Sequence, residues 1–221
     1  MPKLIDMSHI LKPDNAGRKF SLELIGADEV NPNVVRLANQ WYIMHNINMV
    51  SHIGTHIEAP YHILKDGRDL ATLPLEIFCG TALILDLRGL PARTAITVEQ
   101  VEAAAAQAGG IQTGDIVFCN LGFARHYGTA EYGQAPYFST AAIQWLARSG
   151  MKLMGVDATG VELPGNEDHV NHHALFERGI PLIENLTGFD RLTCSRVQVT
   201  AFPIAVAGLE SFPVRVVAAE E

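Results

Sequence analysis

The chain has 221 residues, of which 48% are hydrophobic and 18% are charged. This length is enough to bury the core of one substantial domain, and the hydrophobic fraction excludes a disordered chain. Sixteen basic residues against 24 acidic ones give a formal net charge of −8, which disfavours nucleic acid and anionic membrane surfaces as partners. No apolar run approaches the roughly 20 residues that a membrane-spanning helix needs.

Short β-rich runs alternate with helical patterns along the chain. Strands are predicted at Leu4–Met7, Tyr42–Val50, Thr81–Leu87, Asp115–Leu121, Lys152–Val156, Val197–Val206 and Val214–Val217. Three helices are predicted from their capping residues, from Thr97 to Gly109, from Ser139 to Gly150 and from Asn166 to Gly179. Residues 14–40 match neither pattern and are expected to form a surface excursion. This order of elements predicts an α/β architecture with a mixed sheet.

Cysteine usage and the first residues bear on the compartment. Cys79, Cys119 and Cys194 form no closely spaced pair, so the sequence predicts neither a disulfide framework nor a zinc ribbon. Asp6 stands where a secretory signal peptide has its apolar stretch. We therefore expect a cytoplasmic protein that folds as a single domain over residues 1–221.

The segment 51–62 holds the densest group of chemically active side chains. His52, His56 and His62 fall within eleven residues, with Glu58 among them. Even-numbered positions of an extended segment share one face, which aligns these four side chains and turns the intervening isoleucines toward a core. A lone histidine more often has a structural role. Four potential ligands on one face instead favour a metal site.

A shared metal requires this segment to bend. Four residues of straight strand would separate His52 and His56 by about 13 Å, at the limit for imidazoles that each bind a metal at about 2.0–2.1 Å. Gly54 is the residue best suited to provide a bulge or tight turn. Two imidazoles and a carboxylate could hold zinc, manganese or iron, with positions left open for water.

The pattern His-x-Gly-Thr-His-x-acid-x-Pro-x-His over residues 52–62 resembles the signature of the cyclase-like metal-dependent hydrolases. That family contains bacterial kynurenine formamidase and isatin hydrolase. Similar stretches extend over most of the chain, at Leu4–His9, Leu121–Phe123, Lys152–Asp157, His172–Leu175 and Ile183–Leu186. The resemblance implies a fold of the swivelling β/β/α type, usually assembled as a homodimer or homotetramer.

The resemblance also implies residue roles and a reaction. His52, His56 and Glu58 would bind a first divalent metal, zinc or manganese. A second metal, bridged by Glu58, would take His172 and Glu184 as its other ligands, giving one or two ions per chain. His62 would be the general acid/base while metal-activated water hydrolyses a small amide, formamide or lactam.

Two other readings of the same site stay open. A metal-assisted cyclase or dehydratase would use the metal without net hydrolysis. A structural metal would tie the segment 52–62 to the third helix without any catalysis, although structural zinc usually has four protein ligands.

Three stretches depart from the family pattern. Glu58 stands where aspartate is usual, which moves the carboxylate by about 1.5 Å, the length of one carbon–carbon bond. Residues 157–162 read Asp-Ala-Thr-Gly-Val-Glu where the family has Asp-Thr-x-Ser-x-Asp. Residues 12–17 lack the tryptophan of the family's Trp-Pro-Gly-like segment. Together these differences predict a substrate other than N-formylkynurenine.

Three further polar residues each allow two interpretations. His169 and His172 would share one face of the third helix, with His173 turned about 100° from His172. His169 or His173 could therefore join the site or belong to a solvated helix face. Arg125 could reach a substrate carboxylate or could lie in a plain surface loop.

Overall fold

The computed structural model describes residues 2–13, 18–33, 39, 42–166 and 168–220. Its strands are β1 (Lys3–Asp6), β2 (Phe20–Gly26), β3 (Ile43–Met49), β4 (His56–Glu58), β5 (Cys79–Asp86), β6 (Ala95–Ile96), β7 (Ile116–Asn120), β8 (Tyr137–Phe138), β9 (Leu153–Val156), β10 (Leu182–Glu184), β11 (Arg196–Thr200), β12 (Ser211–Pro213) and β13 (Val217–Glu220). Its α-helices are α1 (Ala27–Val30), α2 (Val98–Gln107), α3 (Thr140–Arg148) and α4 (Val170–Phe176). Short 3-10 helices lie at Pro60–His62, Leu75–Phe78, Ala124–His126, Ala130–Gln134 and Phe189–Arg191. Within these ranges, no helix has both the length and the apolar character that crossing a membrane requires.

A nine-stranded mixed sheet organises the fold, in the order β1-β13-β11-β5-β7-β9-β10-β4-β12. The four central strands β5, β7, β9 and β10 run parallel, and the strands on both flanks pair antiparallel. Parallel neighbours need long crossover connections, and these carry α2, α3 and α4. The predicted α/β class with a mixed sheet is therefore confirmed.

The sheet separates two hydrophobic clusters, and β7 shows how its residues divide between them. Val117 and Cys119 belong to the cluster that includes the helices, whereas Ile116 and Phe118 belong to the other. Alternate residues of a strand point to opposite faces. A strand buried on both faces therefore reads as an uninterrupted apolar run.

The first residues of α2, α3 and α4 show which of the three predicted capping residues are correct. Helix α2 begins after Thr97, which forms a capping box with Gln100, and α3 begins after Ser139, whose hydroxyl accepts from the amide of Ala142. Both starts are confirmed. The predicted start at Asn166 is wrong, because the Asn166 side chain accepts from the amide of Asp168 in a local turn and α4 begins only at Val170.

The strand predictions fail where elements are short or edge-forming. Residues 20–30, predicted as part of a surface excursion, form β2 and α1, and β2 pairs only with β3 in a separate two-stranded sheet. The predicted strand Val197–Val206 ends at Thr200, and Val214–Val217 overlaps β13 at a single residue. Strand β10 has only three residues and went unpredicted. Residues 14–17, 34–38 and 40 of the predicted excursion lie outside the described residues.

Candidate metal centre

Strand β4 carries two of the candidate ligands and lies between β10 and β12. His56 and Glu58 are two positions apart, so their side chains share one face of the sheet. Across the antiparallel ladder, Glu184 of β10 is directly opposite His56. Directly opposed residues have Cβ atoms about 4.5–5.5 Å apart. The register therefore places two carboxylates and one imidazole together on this face.

The chain bends sharply just before β4. Gly54 has φ +60°, a left-handed conformation that side-chain-bearing residues rarely adopt. A Cβ atom at this position would also collide with the side chain of Leu11. The bend brings Nδ1 of His52 to 2.8 Å from Oε1 of Glu58. The intervening Ile53 is buried, as the alternating pattern predicts.

His62 reaches the same cluster by a different route from the one the strand pattern suggests. Residues 60–62 form a 3-10 turn after the strand. This turn places Nε2 of His62 4.0 Å from Oε1 of Glu58. The side chain is 27% exposed, more than those of His52, His56 and His172.

Glu58 lies at the centre of the cluster, with each carboxylate oxygen facing a different group. Its Oε1 lies 3.4 Å from Nε2 of His56, and its Oε2 lies 3.3 Å from Nε2 of His172. Glu184 completes the ring, with Oε2 3.4 Å from Nε2 of His56 and Oε1 3.8 Å from Nε2 of His172. The longer glutamate side chain thus still reaches both halves of the cluster.

The donor atoms fit a divalent cation in two overlapping sets. In one set, atoms of His52, His56 and Glu58 lie within 4.8 Å of one another, and in the other set the same holds for Glu58, His172 and Glu184. Nε2 of His56 and Oε2 of Glu58 are buried without a hydrogen-bond partner. Buried polar atoms are normally paired. Imidazole nitrogens with carboxylate oxygens are ligands that suit zinc and manganese.

Hydrogen bonds fix the orientation of two imidazoles in this cluster. Nδ1 of His56 lies 2.8 Å from the carbonyl oxygen of Gly54, and Nδ1 of His172 lies 3.1 Å from Oε1 of Glu162. An Nδ1–H that donates to oxygen leaves Nε2 free for a metal, the arrangement found around metal-binding histidines. Asn185 supports the first contact, because its side-chain amide also donates to the Gly54 carbonyl at 2.8 Å.

The ionisable side chains of the cluster shift one another's pKa values. Burial alone would lower the pKa of His172, but the surrounding carboxylates raise it to about 12. Burial opposes ionisation of Glu58, yet the surrounding histidines hold its pKa well below the usual range. Burial and the charge of Glu58 raise the pKa of Glu184. Two buried carboxylates competing for positive charge form an environment that favours a bound cation.

The remaining histidines of α4 separate into two environments. His169 is the N-cap of α4 rather than part of the helix, and its ring lies 5.6 Å from that of His172. It forms a third potential ligand group with Glu162 and His172. His173 is half-exposed and pairs with Glu177 at 3.4 Å, so it lies apart from the cluster.

Three supporting residues were missed by the sequence reasoning. Oε1 of Glu162 contacts Nδ1 of His172, and the side-chain amide of Asn185 donates to the carbonyl oxygen of Gly54. Oε1 of Glu210 lies 3.4 Å from Nε2 of His52. Glu162 is the last residue of the stretch 157–162 that differs from the family pattern. An acidic residue at that position was the one sequence feature that could have pointed to its role. Glu210 is more than 150 positions from His52 and comes close only because β12 pairs with β4.

A cavity of about 310 Å³ opens beside the cluster and includes His52 and Glu184 in its wall. The other residues around it are Arg18, Gly54, Tyr127, Gly128, Thr129, Tyr132, Gly133, Thr159 and Asn185. Arg125, considered above for a substrate carboxylate, instead lines a separate cavity with Asp157 and Asp190.

Comparison with known proteins finds relatives and solved structures that are similar to most of this chain. A kynurenine formamidase of Bacillus cytotoxicus is 26% identical over 172 residues, covering 77% of each chain. One from Bacillus anthracis is 25% identical over 219 residues, covering 97% of this chain and 96% of the relative. Isatin hydrolase A from Labrenzia aggregata, solved with benzyl benzoate, has the same fold with a TM-score of 0.84 at 22% identity, covering 99% of this chain and 94% of that one.

A protein-family model also matches this chain. The model named Cyclase, described as "Putative cyclase", matches residues 5–163, which is more than half of the chain. The match spans the bend at Gly54 and the residues of β4. The chain therefore belongs to the Cyclase family, as its sequence pattern predicts.

Proposed function

We propose that this protein is a metal-dependent hydrolase that cleaves the carbon–nitrogen bond of a small amide, formamide or lactam. The observation that carries the proposal is the pair of buried, unpartnered atoms, Nε2 of His56 and Oε2 of Glu58, which face further ligands in Glu184 and His172. Relatives named kynurenine formamidase and isatin hydrolase support the reaction class.

The ligand set favours zinc or manganese, with one or two ions per chain. His52, His56 and Glu58 would hold the first ion, and Glu58, His172 and Glu184 would hold a second. A divalent ion in such a site supplies a Lewis acid and lowers the pKa of bound water toward neutrality. The two oxygens of Glu58 face the two sets separately, which supports a bridging role for this side chain.

His62 has the position expected of the general acid/base. Its Nε2 lies at the edge of the ligand cluster, and its side chain is partly exposed. Burial lowers the pKa of His62 against the opposing charge of Glu58, and the neighbouring imidazoles add to this lowering, which favours the neutral ring. A neutral Nε2 can accept a proton from water and then donate it to a departing nitrogen.

Turnover by metal-replete protein tests this proposal. We expect zinc- or manganese-loaded protein to hydrolyse formanilide or isatin, and the metal-depleted protein to lose this activity. His62→Ala should keep its metal, measured by elemental analysis, and lose 10²- to 10⁴-fold in kcat, the usual contribution of a general acid/base. Glu177→Ala, which changes an exposed side chain outside the ligand cluster, is the control.

Three outcomes would contradict parts of the proposal. Full turnover by metal-loaded His62→Ala would refute the role of His62. No turnover of formamides or lactams by metal-loaded wild type would refute the hydrolase function. If product forms in ¹⁸O-labelled water without taking up the label, the reaction is that of a cyclase or dehydratase.

We also propose that the chain assembles as a homodimer or homotetramer through the hairpin of β2 and β3. The register and strand alternation place His45 on one face of this hairpin together with a set of apolar side chains, namely Phe20, Leu22, Leu24, Ile43, Ile47 and Met49. Ile47 is 60% exposed and Leu24 58%. An isolated two-stranded hairpin is marginally stable in water, and an exposed apolar face favours association.

Light scattering measures this assembly directly. We expect wild type to have at least twice the mass of one chain and Ile47→Glu to dissociate. A monomeric wild type would contradict this part of the proposal.

The three free cysteines, of which Cys119 is buried, support a reducing cytoplasm as the compartment.

A further inference from the structure

The wall of the cavity beside the ligand cluster includes an arginine side chain, Arg18, which is not one of the candidate metal ligands. Among the described residues of its wall, Arg18 is the only basic side chain besides His52. A guanidinium is always protonated in proteins, so this charge is permanent. At about 310 Å³, the cavity lies at the lower end of the range of small-molecule sites.

Arg18 has no internal counter-ion in the part of the chain that the structure describes. The ion pairs found there for arginine involve Arg88, Arg196 and Arg215. Arg18 itself lies close enough to Tyr127 for its charge to oppose the rise in the pKa of that phenol caused by burial. The Arg18 side chain is exposed and lines the ligand cavity, so its guanidinium is accessible to an anionic group of a ligand.

Contacts with neighbouring side chains hold the two tyrosines that line the cavity together with Arg18. The ring of Tyr127 stacks on His9, with centroids 3.8 Å apart. The hydroxyl of Tyr132 donates to Oδ1 of Asn185 at 2.8 Å. The two tyrosine rings meet edge to face at 5.4 Å. They form two nearly perpendicular aromatic walls of the cavity that Arg18 and the candidate ligands also line.

We infer that the substrate is a small amide bearing a carboxylate, which Arg18 binds while the scissile amide lies at the ligand cluster. The planar guanidinium matches a carboxylate with two parallel hydrogen bonds. The tyrosine rings would pack against the carbon skeleton of the substrate. This inference rests on the proposed hydrolase function and names its substrate class.

Direct binding tests the carboxylate site without depending on turnover. Calorimetry would compare 2-aminobenzoate with 2-aminobenzamide, which has similar shape but no charge, on zinc-loaded protein. We expect at least tenfold tighter binding of the acid by wild type. Arg18→Gln should remove at least tenfold of this preference with unchanged zinc content, and Arg18→Lys should retain part of it. Arg178→Gln, which removes an exposed arginine from outside the cavity, should behave as wild type.

The opposite binding result would overturn the inference. Equal affinity for acid and amide would show that the cavity does not select a carboxylate. A preference that survives Arg18→Gln would mean that the acid binds elsewhere, for example directly to the metal.

Turnover of a matched pair separates this inference from the proposed function. The substrates are 2-formamidobenzoate and formanilide, and the quantity compared is the ratio of their kcat/KM values. We expect the ratio to favour the acid at least tenfold and to fall at least tenfold in Arg18→Gln. Hydrolysis of both substrates with an unchanged ratio would refute the inference and leave the hydrolase function standing. Binding of the acid that depends on Arg18, without hydrolysis of either substrate, would refute the hydrolase function and keep the carboxylate site.

Discussion

Glu162 links the stability of α4 to the orientation of a candidate metal ligand, and its removal should affect both. Its Oε1 accepts from the backbone amides of Asn171 at 2.7 Å and His172 at 3.0 Å. The same oxygen lies 3.1 Å from Nδ1 of His172. Through these contacts Glu162 caps the first turn of a helix whose N-cap residue, His169, makes no side-chain cap bond.

The size of the effect follows from these three contacts. Loss of a helix cap costs about 1 kcal/mol, and a hydrogen bond to a charged group contributes about 1.5–3 kcal/mol. We therefore expect Glu162→Ala to lower the free energy of unfolding of the metal-free protein by about 2–4 kcal/mol. In a protein of this size that loss corresponds to a fall in Tm of roughly 5–15 °C.

Glu162→Gln separates the hydrogen bonds from the charge. Its amide oxygen can still accept from the two backbone amides, so we expect Glu162→Gln to lose less stability than Glu162→Ala. Both variants lose the carboxylate that orients His172, and loss of such a partner weakens metal affinity by about 10- to 100-fold. Calorimetric unfolding and zinc titration measure the two effects, with Glu177→Ala on an exposed side chain as the control.

Two results would refute this reasoning. Wild-type Tm and zinc affinity in Glu162→Ala would show that Glu162 neither caps α4 nor orients His172. Equal loss of Tm in Glu162→Gln and Glu162→Ala would show that the charge, and not the hydrogen bonds, stabilises the helix.

Four further substitutions test other contacts. The Tyr132 hydroxyl donates to Oδ1 of Asn185, and Asn185→Ala and Tyr132→Phe should each lower the free energy of unfolding by about 1–3 kcal/mol because each leaves a buried partner unpaired. The double variant should lose less than the sum of the two single losses. Additive losses in urea titrations would show that the hydrogen bond between these two side chains contributes nothing. Gly54→Ala should weaken zinc binding and lower Tm, since alanine is strained at φ +60° and its Cβ meets Leu11, and an unchanged Tm would show that the bend tolerates a side chain. Burial lowers the pKa of His9 from 6.5 to about 4, so the unfolded chain binds the proton first, and stability should be constant above pH 6.5 and fall between pH 6.5 and 4. At pH 5 that shift corresponds to a loss of about 2 kcal/mol in the free energy of unfolding, which we halve to about 1 kcal/mol because His9 is only partly buried. His9→Phe should remove this part of the loss, measured by urea titrations at pH 7.5 and pH 5. An identical pH dependence in the variant would refute the assignment to His9.

The parts of the fold that sequence predicted well are those with local signals. Thr97 and Ser139 carry their capping partners within three residues, so α2 and α3 begin where expected. The start of α4 was missed because its amides bond to Glu162, which is nine and ten residues away from them. A cap supplied by a distant side chain leaves no pattern next to the helix.

The candidate site shows the same division between local and distant contacts. Spacing and the bend at Gly54 predicted that His52, His56 and Glu58 would meet, and the structure brings them together. His172 and Glu184 came from the family resemblance, because their approach depends on the pairing of β4 with β10 and on the docking of α4. Arg18 lies in a segment with no readable pattern and was not considered. It entered only through the cavity that the folded chain forms around it.

Zinc content per chain tests the central claim most directly. The measurement is elemental analysis of wild type and Glu58→Ala after zinc repletion and dialysis, with Glu177→Ala as the control. We expect one or two ions per chain in wild type and in the control, two if Glu58 bridges the sets, and loss of zinc in Glu58→Ala because Glu58 belongs to both ligand sets. Wild type without zinc, or Glu58→Ala with its full complement of zinc, would contradict the metal site and the function proposed for it.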